Sequence, residues 1–338
     1  MKKIIGIDIG GTKCAVALGE YRKNGIEFKK GTDSAMTIID KNIIQTEVQK
    51  GPEYTLSMIC DCINKLLHSH NLAINDIHSI GISCGGPLDS KAGIILSPPN
   101  LIGWDYIPII EIFEGRFGIK TKIQNDANAC ALAEWKFGTA TEYNNIIFLT
   151  FGTGMGAGLI LDGRLYSGTN DMAGEIGHIR LADYGPVGYG KAGSFEGFCS
   201  GGGIARLARI KVMEKLQMGQ KVSFCSSVDQ LGKLNAKLVG DAAEAGDELA
   251  REIYRISGSF LGKGLAILID ILNPEMIVIG SIFARSESLL REAALEIINR
   301  ECISHSRNVC KIVPARLGEK LGDYAALAVA LYEPDAKE

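Results

Sequence analysis

The apolar positions of this chain follow two periods, and the places where one gives way to the other mark its elements. Ile4-Ile5-Gly6-Ile7, a polar glycine turn and then Cys14-Ala-Val-Ala-Leu18 predict two buried strands joined tightly across residues 3–19. The same plan returns at mid-chain. An apolar run ends at Phe151, glycine occupies positions 152, 154, 156 and 158, and Leu159-Ile-Leu161 meets Asp162-Gly163, a two-residue hairpin signal. Two strand–glycine turn–strand units predict a duplicated architecture.

Between them, Leu56, Ile59, Ile63, Leu66 and Leu67 stand at helical spacing on 53–70. Residues 77–83 predict a strand running into the turn Cys84-Gly-Gly-Pro87. Residues 119–123 predict another, which delivers Gln124-Asn125-Asp126-Ala127-Asn128 to an alanine-rich helix through Trp135. Asn125 and Asp126 are both of the type that caps such a helix. Farther on, Gly201-Gly-Gly203 leads into a basic helix over 204–216. Residues 241–270 predict one long helical region with Leu249, Ile253, Ile256 and Phe260 on one stripe, although Gly258, Gly262 and Gly264 weaken its continuity. A buried strand over 276–280 and an alanine-rich helix over 318–332 complete the pattern.

Composition narrows the class. A length of 338 residues favours two domains, and 46% hydrophobic with 22% charged residues fits a globular chain with a sizeable core. Net charge −3 offers no basic excess to attract nucleic acid. Nine cysteines, scattered through apolar segments, predict reduced thiols in a cytoplasmic protein, not a disulfide framework. Asp8 and the glycines after it cut the apolar start too short for a signal peptide. Lys263, Asp270 and Asn273-Pro-Glu275 interrupt the longest apolar region, so no membrane association is expected.

The glycine turns carry the first chemistry, because backbone without side chains lets amide N–H groups approach a phosphate. Gly152-Thr-Gly154-Met-Gly156-Ala157 formally fits a dinucleotide fingerprint, but that fingerprint requires a following helix, and here strand leads to strand. No Walker lysine motif occurs, since Gly262-Lys263 is followed by Gly264. Glu175 and His178 stand three apart, a metal-ligand spacing on a helix; Gly174 and Gly177 disfavour a helix there and leave both as contacts to a polar ligand.

Taken together, Asp8-Ile-Gly-Gly-Thr-Lys13, Pro98-Pro-Asn-Leu-Ile-Gly-Trp104, Asn125-Asp-Ala-Asn128, Gly152-Thr-Gly-Met-Gly156, Ala173-Gly-Glu-Ile-Gly-His178, Leu272-Asn-Pro-Glu-Met-Ile-Val-Ile-Gly280 and Leu321-Gly-Asp323 resemble the repressor–ORF–kinase (ROK) family. The resemblance implies a two-lobed α/β fold of the actin-like ATPase (ribonuclease H-like) class with duplicated βββαβα-type domains. The small lobe would comprise 1–122 plus 318–338 and the large lobe 123–317. It also implies ATP-dependent phosphorylation of a hexose hydroxyl. Glucose leads because Asn100-Leu-Ile-Gly-Trp104 looks glucokinase-like; N-acetylmannosamine, N-acetylglucosamine and other hexoses stay open, as does a non-catalytic sugar-sensing regulator. Family repressors carry an additional N-terminal helix-turn-helix domain, and the start of this chain on its first strand argues against that role. A homodimer or higher homo-oligomer is expected.

By the same resemblance, Asp8 orients hydrated Mg²⁺, which prefers hard oxygen ligands, and Gly10, Gly11, Thr12, Lys13, Gly152, Thr153 and Gly154 meet the phosphates of ATP. Gly280, with Gly201 to Gly203, belongs to the nucleotide site, where Ser281 and Ala325-Ala326 stand in place of usual glycines. Asn100, Asn125, Asp126, Glu175, His178 and Glu196 contact the sugar, and Gly85-Gly86-Pro87 shapes its pocket. Asp126 is the general base, or simply a helix cap. Family members usually hold a structural zinc with this histidine and three cysteines of a C-x-C-G-x-x-G-C-x-E loop. Here the thiol positions are Val187, Tyr189 and Ser194, and Cys199 with His178 cannot complete four ligands, so no zinc is expected.

Overall fold

The first strand, Lys2–Ile9, sorts its side chains by alternation: Ile5, Ile7 and Ile9 face one apolar core, and Ile4 faces another. It pairs antiparallel with Lys13–Tyr21 and parallel with Ile77–Cys84, in a five-stranded sheet completed by Met36–Gln45 at one edge and Thr121–Asn125 at the other. The computed structural model describes residues 1–22 and 36–333. One face of the sheet packs on the helix Gly51–Ser69, whose buried stripe includes Leu56, Ile59, Ile63, Leu66 and Leu67. On the other face the alanine-rich helix Leu321–Leu331 lies unusually close. A Cβ at Gly6 would come within 2.9 Å of the Leu327 nitrogen, and one at Gly81 within 2.8 Å of the Ala330 Cα. Glycines in the strands and alanines in the helix are therefore a matched pair of sequence features. Ala326 lies in this contact, and both it and Ala325 are buried.

The second sheet repeats the plan. Ile146–Phe151 turns back into Met155–Leu161 and runs parallel to Met276–Ile279, which in turn pairs with Lys311–Pro314; the order is Arg164–Leu165, Met155–Leu161, Ile146–Phe151, Met276–Ile279, Lys311–Pro314. The duplication expected from the two glycine turns is thus present strand for strand. Asp162 and Gly163 both adopt positive φ, as the hairpin signal requires.

By its internal contacts the chain divides into residues 1–144, 158–173 and 316–338, and residues 145–157 and 174–315. Residues 123–144, assigned above to the large lobe, fall in the first unit, because Thr121–Asn125 is an edge strand of its sheet and the helix Asp126–Phe137 packs on Leu321–Leu331. Residues 334–338 lie outside the described residues.

The long helical region expected over 241–270 is two helices, Ala236–Glu244 and Glu248–Leu272, parted at Gly246 with φ 99°. Its later glycines do not interrupt it. Cβ atoms at Gly258 and Gly262 would lie 2.7 and 2.5 Å from the carbonyl oxygens of Leu290 and Ala294, so these glycines allow the helix Glu287–Glu301 to approach. Among the described residues no helix is long and apolar enough to cross a membrane.

Candidate active site

In the first unit the strand register gathers residues far apart in sequence. Asp8 pairs with Ser83 and Ser83 with Gln124; one step on, Ile9, Cys84 and Asn125 align. The carboxyl ends of three parallel strands therefore lie side by side, the usual location of ligand sites in α/β sheets. Beyond Ile9, Gly10 N–H donates to the Lys13 carbonyl (3.1 Å), and the Thr46 hydroxyl and N–H donate to the carbonyls of Gly10 and Thr12. Among the described residues the N–H groups of Gly11 and Thr12 have no partner. Two adjacent open amides form a concavity suited to an anion. A Cβ at Gly11 would collide with the Asn100 carbonyl, and the Asn100 side-chain amide lies over Gly85. The turn at residues 98–101 is thereby seated on both glycine segments.

Asp8 lies on the sheet face shared with Gly6, so its carboxylate meets the start of the helix Leu321–Leu331. A Cβ at Gly322 would stand 2.8 Å from Asp8 Oδ2. Burial first, then the carboxylates of Asp126 and Asp323, push the Asp8 carboxyl up to about 6, against a hydrogen bond from Ser83 and the charge of Lys13. Asp323 is buried and accepts from Lys41 Nζ at 2.7 Å. Among the described residues no three His, Cys, Asp or Glu side chains converge to cage a metal. An anionic grouping without a cage fits a cation that keeps most of its water, as Mg²⁺ does.

The helix cap is Asn125, not Asp126. Asn125 has extended backbone, and its Oδ1 accepts from Asn128 N–H at 2.8 Å. Asp126 is the first helical residue, and its Oδ1 accepts from the adjacent Ala127 N–H. Solvent reaches the Asp126 side chain, yet the surrounding protein desolvates its carboxyl enough to raise it above the usual carboxylate range. The capping alternative is thereby assigned to its neighbour.

In the second unit the glycine turn is held from several sides. Gly152 N–H donates to the Gly154 carbonyl (3.1 Å), Gly201 N–H to the Gly152 carbonyl (2.7 Å), and Gly202 N–H to the Thr153 carbonyl (3.3 Å). Glu196 Oε2 accepts from Met155 N–H at 3.1 Å. The N–H groups of Thr153 and Gly154 have no partner among the described residues. Gly280, just past the Ile279–Leu149 pair, donates to the Leu149 carbonyl, and Ser281 follows with φ 54°, ψ −112°. Glu175 and His178 bracket a 3₁₀ turn, Ile176–His178. The absence of an α-helix there agrees with the sequence reading: Gly174 has φ 87°, and Cβ atoms at Gly174 and Gly177 would strike the carbonyls of Ala157 and Met155.

The segment at the family's zinc loop is a small hairpin, Val187–Gly188 paired with Lys191–Ala192, with Tyr189 and Gly190 at positive φ in its turn. Ser194 is buried; its hydroxyl caps the helix Phe195–Phe198 by accepting from Gly197 N–H at 3.1 Å. The Cys199 thiol donates to the Ser257 carbonyl at 3.2 Å, and Tyr189 packs its ring on His178. This donor set does not fit a tetrahedral zinc.

Asn100, Asn125, Asp126, Asp8 and the 10–13 turn thus belong to the first unit, and Glu175, His178, Glu196, the 152–154 turn and Gly280 to the second. Sequence reasoning overlooked Ser83, Lys41 and Gly322. Only Gly322 carried a signal, inside the Leu321-Gly-Asp323 motif.

Residues 4–333 match the ROK family. The chain belongs to the ROK family. It is 34% identical over 278 residues to a glucokinase of Halalkalibacterium halodurans, covering 82% of this chain and 79% of that protein. It is 28% identical over 330 residues to a xylose repressor of Caldicellulosiruptor bescii, covering 97% of this chain and 78% of that one. Its fold matches a ROK family glucokinase from Streptomyces griseus, solved with glucose and AMPPNP, at a TM-score of 0.73 and 27% identity, covering 97% of this chain and 99% of that one. The architecture is that of the ROK sugar kinases, an α/β fold of the actin-like ATPase class.

Proposed function

We propose that this ROK protein catalyses ATP-dependent phosphorylation of a hexose hydroxyl, with glucose the first candidate. The observation that carries the reading is Asp126: a carboxylate open to solvent at the strand ends, relieved of helix capping by Asn125, and made more basic by desolvation. Such a group suits acceptance of a hydroxyl proton as the γ-phosphoryl group transfers. The remaining sugar contacts are assigned to Asn100, Asn125, Glu175, His178 and Glu196. Asn125 spends Oδ1 on its cap and keeps its NH₂ group for a hydroxyl. The open amides at Gly11, Thr12, Thr153 and Gly154, with Lys13, suit phosphate oxygens, and Gly280 suits the nucleotide. Mg²⁺, oriented by Asp8 through water, supplies charge neutralisation of the phosphates when bound.

A coupled ADP-release assay with glucose, mannose, N-acetylglucosamine and N-acetylmannosamine tests the reading. Release with at least one hexose, with glucose turned over fastest, is expected. Sugar binding without ADP release from any hexose would overturn it in favour of a sugar-sensing regulator, the class to which the xylose repressor belongs.

A further inference from the structure

Glu196 serves above as one sugar contact among six, yet its geometry ties it more closely to the second glycine turn. One carboxylate oxygen, Oε2, accepts Met155 N–H at 3.1 Å, and a Cβ at Gly154 would come within 2.9 Å of that oxygen. The main chain of Glu196 is tied to the same turn by another route. Its carbonyl accepts the Ser200 hydroxyl at 2.8 Å, and that hydroxyl also accepts Gly203 N–H, capping the helix Gly201–Gln217. The first amides of this helix, Gly201 and Gly202, hold the carbonyls of Gly152 and Thr153. Both anchors of the turn, carbonyl side and amide side, thus lead back to one residue. Glu196 itself is fixed by the short helix Phe195–Phe198, capped by Ser194.

We propose that Glu196 is a positioning residue for the phosphate turn: by taking up Met155 N–H it leaves the adjacent amides of Thr153 and Gly154 as the pair presented to a phosphate. The inference rests on the kinase reading for the identity of that phosphate. A residue that only touched sugar would have no effect on nucleotide binding when sugar is absent, and this separates the two roles.

The test measures binding of a non-hydrolysable ATP analogue with Mg²⁺, without sugar, to wild type, Glu196→Gln and Glu196→Ala. Glutamine keeps an acceptor for Met155 N–H and removes a negative charge beside the turn, so Glu196→Gln should bind at least as tightly as wild type. Glu196→Ala frees the turn and should bind about 10–150-fold more weakly, the worth of one hydrogen bond to a charged group. Equal affinity in Glu196→Ala and wild type would overturn the proposal. Amide hydrogen exchange supplies a readout independent of any ligand. Met155 N–H should exchange more slowly than Thr153 and Gly154 in wild type and Glu196→Gln, and should lose that protection in Glu196→Ala. Uniform exchange across the three amides in wild type would also overturn it. A wild type that binds no analogue but protects Met155 would sink the kinase reading while leaving the positioning role standing.

Discussion

The imidazole of His178 packs edge-on against the phenol ring of Tyr189, with centroids 5.2 Å apart and ring planes at 88°. Tyr189 occupies a thiol position of the family's zinc loop, so an aromatic contact holds the histidine where a metal bond would otherwise do so. Lys191 Nζ adds a hydrogen bond to the His178 carbonyl at 2.6 Å from the same hairpin. The purified protein should carry no stoichiometric zinc by elemental analysis, and zinc chelators should leave its melting temperature unchanged. Tyr189→Ala should raise the sugar KM by about 2–10-fold, matching the roughly 0.5–1.5 kcal/mol of an aromatic pair, while Tyr189→Phe should be near neutral. One zinc per chain, or an indifferent Tyr189→Ala, would refute this account of the loop.

Asn125 and Asp126 are adjacent but are expected to fail differently. Asp126→Asn should lower kcat by ~10²–10⁴ while shifting the melting temperature little, because Asp126 is not the cap. Asn125→Ala should cost about 1 kcal/mol of stability through the lost cap. Steady-state kinetics and thermal melts on the two variants check both; activity of Asp126→Asn within a few-fold of wild type would remove it from the mechanism.

Asp8 gives a pH signature. Its folded carboxyl titrates at about 6, above the ordinary value of 3.8, so between these limits the folded chain binds more protons than the unfolded one. Stability should therefore fall as pH rises through that window, by on the order of 2–3 kcal/mol, and the penalty should persist at neutral pH. Asp8→Asn should melt at a higher temperature than wild type at pH 8 and at nearly the same temperature at pH 4. Mg²⁺ should narrow the gap at pH 8 by stabilising wild type alone. An Asp8→Asn variant less stable than wild type at pH 8 would contradict the assignment.

Ser281 sits at φ 54°, ψ −112°, a conformation that glycine reaches without strain. Ser281→Gly should stabilise the chain by about 1 kcal/mol, measurable by denaturant titration, despite the larger entropy of glycine when unfolded. A loss of stability would mean that the weak Arg285–Ser281 hydrogen bond, 3.4 Å long, matters more than the strain.

The residues that form the glycine turns, the Asp162-Gly163 hairpin, the stripe on Gly51–Ser69 and the mid-chain repeat of the first strand pair are close together in sequence, and the sequence alone was enough to place them. Alternation, helical spacing and turn chemistry act over a few residues, which is the range at which a sequence can be read directly. The family motifs likewise singled out Asp8, Asp126 and Glu196 as candidates. What Asp8 touches was decided elsewhere: Ser83 reaches it through strand register, and Gly322 through a helix more than three hundred positions away that lies close only because Gly6 and Gly81 have no side chains. Tertiary packing also kept Gly258 and Gly262 inside one helix, since the approach of Glu287–Glu301 offsets their low helix propensity. The choice between Asn125 and Asp126 as cap turned on where the backbone changes from extended to helical. That point is set by the end of the edge strand in its sheet, and two adjacent residues with equal capping chemistry do not reveal it.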